Sequence, residues 1–206
     1  LPQFVQILFF AEDANISLTV DLALHFCKEL IHKFGNMYLE SIVVTRCLPF
    51  LFANIHYITQ DQTQEEQFKH LLLSLTEYQY ILKESYLQQM MEEKDWEFTV
   101  LKLLNNCSKN NTFVLPHSVF QWLLQSVLPN TIAPKTGILN SEKENGNVKG
   151  FNTHKLTYLK TVRYFLEVVY VTTHVNQSYK SFLLGNLQLL EVALQLIKMN
   201  KNYFQQ

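Results

Sequence analysis

Residues 153–201 read THKLTYLKTVRYFLEVVYVTTHVNQSYKSFLLGNLQLLEVALQLIKMNK, and the spacing of their apolar positions is that of helix. Leu156, Leu159, Val162, Leu166 and Val169 recur at three- and four-residue intervals, while Phe165, Val168, Tyr170 and Val171 fill much of the opposite side. A helix apolar nearly all round is a buried one. Phe182, Leu183, Leu187, Leu190, Leu194 and Ile197, with Leu184, Leu189 and Leu196 beside them, form a second run almost as apolar. The stretch is therefore expected to be an antiparallel helical pair, 153–201, enclosed by the helices that precede it.

The whole composition points the same way. A chain of 206 residues can bury enough apolar surface to stand without disulfides or metals, so one helical domain over 1–206 is expected. Five glycines and five prolines are few for sandwiches, barrels or doubly wound sheets, whose tight turns use those residues. The expected class is all-α: a multi-helix bundle or irregular α-solenoid of about 7–9 helices with one long disordered loop. Fifteen phenylalanines and ten tyrosines supply a large core, or a surface kept for a partner.

Cys27, Cys47 and Cys107 are odd in number, far apart in sequence and without CxxC or CxH spacing. They suggest neither a zinc module nor a disulfide framework, and favour a reducing, intracellular compartment. The sequons at Asn15, Asn106, Asn110 and Asn176 read as chance triplets in an asparagine-rich chain. No stretch approaches the uncharged apolar run of about 20 residues that spans a bilayer, so no membrane is expected. Opening at Leu1 without methionine or a signal-like segment, the chain is expected to be an excised domain.

In chain order, residues 1–10 suggest a short helix, and Ser17 is placed to cap a helix to about Phe34 with apolar positions Leu18, Leu22, Phe26, Leu30 and Phe34. Gly35-Asn36 supplies its left-handed stop. The segment 37–58 is expected to be helical but kinked or split at Pro49, its β-branched centre Ile42-Val43-Val44-Thr45 leaving a strand as the alternative. Thr63-Gln64-Glu65-Glu66 reads as a capping box opening a helix whose apolar face runs from Phe68 to Tyr86. Another helix is expected from about Asp95 to Leu104, a polar turn over 105–111, and a short helix from Pro116 through Val127. Residues 129–152 read as a flexible internal loop.

Charge is segregated. Between Gln60 and Val100 nine acids face three lysines, whereas from Lys149 onward seven bases face two acids. Both sets read first as solvated helix faces. The basic end also suggests a weak, salt-sensitive contact with DNA, although a single arginine without a basic-aromatic stripe argues against base readout.

Chemistry finds little purchase. Asp21, His25, Glu29 and His32 share one helix face, but no HExxH or second ligand set accompanies them, so no metal is expected. GxGxxG, GxxxxGK and GxSxG are all missing, which disfavours the common nucleotide-dependent and hydrolase chemistries, and no cofactor is expected. Cys27 lies two residues from His25, a spacing that points the two side chains apart on a helix.

The aromatic and leucine content then favours docking. Tyr38, Tyr57, Tyr80, Tyr86, Trp96 and Trp122 are residue types that anchor interfaces. The interaction candidates are Leu187, Leu190, Leu194, Trp96, Trp122, Lys155 and Arg163.

Val127-Leu128-Pro129, followed by Lys135-Thr136-Gly137-Ile138-Leu139, a lysine-rich loop and a new apolar helix, resembles a stretch in the middle helical region of vertebrate nuclear factors. Those factors help localise the SMC complex that carries a SUMO ligase. The resemblance covers about a tenth of the chain, with no matching BRCT or ankyrin segment. It implies a non-enzymatic helical subunit that heterodimerises with another helical protein in the nucleus.

The sequence thus predicts a non-enzymatic helical scaffold or adaptor in an intracellular complex, nuclear rather than cytoplasmic. It is expected to work as a homo- or hetero-oligomer with another, helical, protein. The alternatives are a helical enzyme or ligand-binding bundle with a pocket between apolar helices, and nucleic-acid binding through the basic end.

Overall fold

In the computed structural model, residues 16–110, 112–129, 148–175, 179 and 181 are described, and among them every regular element is a helix. Eight segments are α-helical and two are wound more widely, with i→i+5 bonds. Set beside the single helical domain expected over 1–206, the helices group into two compact units, Leu1–Gln89 and Met90–Gln206.

In the first unit α1 spans Ile16–Phe34, so Ser17 lies within its first turn rather than ahead of it. Gly35, at φ +57°, returns its N–H to the Ile31 carbonyl at 2.8 Å and ends the helix as expected. The buried face is Val20, Ala23, Leu24, Cys27 and Leu30. The expected set is corrected: Leu18 is 58% exposed and Leu22 44%, with Phe34 also exposed. A strict four-residue spacing advances about 40° around the helix at each step, so such a row winds off the core face.

Residues Leu39–Cys47 form the wide helix α2, which runs into α3, Leu48–Ala53. The Val43 amide donates to the Tyr38 carbonyl at 3.4 Å, and the Leu48 amide donates to the Val43 carbonyl. Pro49 sits in the first turn of α3. A proline ring lacks a donor and crowds the carbonyl four residues back, and the widened turn before it accommodates both defects. Thr45 Oγ1 donates to the Ser41 carbonyl at 2.8 Å, a helical back-bond that sets aside the strand alternative.

After the short α4, Ile55–Ile58, comes α5, Gln62–Glu77. Its cap is Asp61 rather than Thr63: the Asp61 carboxylate accepts from the amides of Thr63 at 2.8 Å and Gln64 at 3.2 Å. An anion at that position also meets the positive helix end. The expected run to Tyr86 is cut short. Gln79 adopts φ +65°, and the Tyr80 amide reaches back to the Leu75 carbonyl at 3.0 Å, closing a left-handed stop. A new helix, α6, follows at Glu84–Glu92 and runs through the division between the two units at Gln89 and Met90. Phe52 ties these elements together, edge-on to Phe68 at 5.2 Å and stacked on Tyr86 at 4.0 Å.

In the second unit α7 spans Glu97–Ser108, α8 His117–Trp122, the wide α9 Leu123–Val127, and α10 Val148–Val175. Helix α10 begins inside the loop expected over 129–152, whose remainder, 130–147, lies outside the described residues. The first helix of the expected apolar pair is therefore present and longer than expected, while 182–201 lies outside the described residues. Helix α10 packs on α7 through one stripe, Val162, Phe165, Val168, Val169 and Thr172. It is not apolar all round: Tyr170 is 70% exposed and Arg163 is exposed.

The turn expected over 105–111 is corrected as well, because α7 continues to Ser108 and buries Asn105. Asn105 Nδ2 donates to Glu167 Oε2 at 2.6 Å, and Arg163 Nε donates to Glu167 Oε1 at 2.7 Å. Burial pushes the Glu167 carboxyl up, but the hydrogen bonds from Arg163 and then Asn105 outweigh it and hold the group below its ordinary value. A carboxyl lowered by folding stabilises above its unfolded range and loses that contribution as pH falls through the folded value. With 38% of the Glu167 side chain exposed, solvent screening limits the effect. Asn105→Ala is expected to destabilise by about 1–2 kcal/mol at neutral pH in denaturant titrations, the difference shrinking below about pH 4.

Candidate docking groove

An open concavity lies in the first unit, where α1 packs beside α5. It is an open groove of about 750 Å³. On α1 it is lined by Leu24, Lys28 and Ile31, spaced i, i+4 and i+7, with Glu29 and His32 beside them. On α5 the lining is Gln67, His70, Leu71 and Ser74, again one stripe of a helix, with Tyr78 just past its last residue. The two helices pack against each other, with Leu24 on α1 and Leu71 on α5 buried beside the opening. The groove is the trough left above that contact.

Its floor is apolar, with Leu24 and Leu71 buried and Ile31 half-buried. Tyr78, exposed, closes one end, held there by the left-handed stop at Gln79. The rim is rich in donors. Lys28, His32 and His70 are exposed and have no ion pair among the described residues. The single acid in the lining, Glu29, is bound by Lys33 Nζ at 3.1 Å, and that hydrogen bond holds its carboxyl below the ordinary value. Farther along α5, Glu65 is likewise paired, with Lys69 at 2.6 Å.

None of the described residues expected from sequence to meet a partner is among those lining the groove. Trp96 is fully buried and Tyr86 is core, which corrects their reading as surface anchors. Both sit beside helix starts, where sequence alone does not separate a core aromatic from an exposed one. Trp122 is half-buried. Arg163 is exposed and engaged by Glu167. Lys155 lies on α10 with its side chain outside the described ones, and Leu187, Leu190 and Leu194 lie outside the described residues. Lys28, His32 and His70 were missed as a group because they come from two helices; only the run Leu24, Lys28, Ile31, His32, a mixed apolar and basic face, hinted at a rim.

Among the described residues no three histidine, cysteine, aspartate or glutamate side chains converge as metal ligands, Asp21, His25, Glu29 and His32 included. No helix among them is long and apolar enough to cross a membrane. Comparison with protein-family models, curated proteins and solved structures gives no match.

The fold does join two cysteines far apart in sequence. The Cys27 and Cys47 thiols are hydrogen-bonded, both fully buried, and that bond followed by burial pushes the Cys27 thiol well above its ordinary value. A protonated, enclosed thiol is a poor nucleophile. Cys107 is buried too. An aromatic disulfide reagent is therefore expected to leave all three thiols unmodified over minutes in the folded protein, and to titrate three after unfolding. Rapid native reaction of Cys27 would contradict this packing.

Proposed function

We propose that this chain is a non-enzymatic helical adaptor domain that takes a helix of another protein into the groove between α1 and α5. The observation that carries this reading is the groove itself: an apolar floor of Leu24, Ile31 and Leu71, open to solvent and rimmed by polar donors. Helix-in-groove recognition uses such a floor to receive anchors at i, i+3, i+4 and i+7 of an amphipathic partner. A nuclear setting and a heterodimeric place in a genome-maintenance complex are part of the proposal. They draw their support from the resemblance carried by residues 127–139.

The test is affinity purification from nuclear and cytoplasmic extracts, comparing the natural chain with a variant combining Ile31→Asp and Tyr78→Ala. Neither side chain is core, so circular dichroism and thermal midpoint should stay nearly unchanged. A nuclear helical partner is expected with the natural chain and about tenfold less with the variant, corresponding to about 1.4 kcal/mol. Equal recovery by a folded variant would place the partner's surface elsewhere on the chain.

A further inference from the structure

The charge of the rim narrows the occupant, an inference that rests on the adaptor reading above. We propose that the groove selects an acidic amphipathic helix, whose apolar face lies on Leu24, Ile31 and Leu71 and whose flanking carboxylates meet Lys28, His32 and His70.

Lys28 and His32 are one turn apart on α1, so their side chains stand on one edge of the groove, about 6 Å apart at Cβ. Aspartate or glutamate residues spaced i, i+4 on a partner helix match that interval. His70, on α5, faces the same trough from the other side, with Gln67 one turn before it and Ser74 one turn after. The acids that would repel such a partner are already answered within the helices, Glu29 by Lys33 and Glu65 by Lys69. Asp21, Glu66 and Glu77 are exposed on the same two helices but do not line the groove. Among the described residues, the unpaired cation in the groove lining is therefore Lys28, with two imidazole donors beside it. Like charges in a partner would face an uncompensated ammonium, which gives discrimination as well as attraction.

The experiment uses the full chain and three fluorescent synthetic peptides of 18 residues sharing one leucine face. Their flanking positions are all glutamate, all glutamine or all lysine, and vesicles containing about one third phosphatidylserine serve as a separate probe. The glutamate peptide is expected to bind about tenfold more tightly than the lysine peptide, since the Lys28 ammonium attracts the one and repels the other while the imidazole N–H groups donate to carboxylates. Its affinity should fall as salt is raised. K28E, at an exposed position, should leave the fold intact and abolish or reverse the preference. Equal binding of all three peptides, lost with Ile31→Asp, would overturn the acidic preference while leaving the docking groove standing. Binding of none to the natural chain would overturn both readings. Binding to the vesicles alone would replace the acidic helix by an anionic lipid surface.

Discussion

Helices α1 and α5 pack side by side without closing over Ile31, Gln67 and His70, and the groove of the first unit follows from that constraint. Val20, Ala23 and Leu24 on α1 and Leu71, Leu72 and Leu75 on α5 are buried, while Cys27 is hydrogen-bonded to Cys47 on α2 and Phe68 packs edge-on to Phe52 on α3. Burying such side chains stabilises by about 1.5–3 kcal/mol for each large one, so the contact is fixed. What it leaves uncovered is equally fixed: a trough whose walls are the next stripes of the same helices. Leu24, Ile31 and Leu71 floor the opening. The cap at Asp61 and the left-handed stop at Gln79 set where α5 begins and ends, and so where Tyr78 closes the groove.

The second unit is held differently. Helices α7 and α10 share an apolar contact through Leu101, Leu104, Phe165 and Val168, but a polar link crosses it. The bond from Asn105 to Glu167 fixes the register of one helix on the other, since sliding either would leave a buried amide without its partner. Arg163 occupies the outer carboxylate oxygen and stays at the surface. A cation expected to reach outward is thereby committed to its own helix.

The helical class was legible because two local signals agree: sparse glycine and proline, and apolar residues at helical spacing. The stop at Gly35 was legible for the same reason, a residue type that answers one backbone requirement. Asp61 was not, because a capping box two residues later offered a competing and equally local solution. Asn105 misled because asparagine favours turns when exposed, and only the position of Glu167, far along the chain, makes a helical asparagine favourable. The stop at Gln79 left no signal, since glutamine seldom takes a left-handed conformation. The groove escaped for a wider reason: Lys28 and His70 are ordinary exposed residues in sequence, and become a site only when α1 lies beside α5.

The claim that the chain works by docking at this trough can be read directly from side-chain methyl resonances. With methyl-labelled leucine, isoleucine and valine, titration with an acidic leucine-faced helix should move Leu24, Ile31 and Leu71 together, in one saturable step. Val162 and Val168, in the α7–α10 contact, should stay where they are. Shifts at Val162 and Val168 with Leu24, Ile31 and Leu71 unmoved would contradict the account.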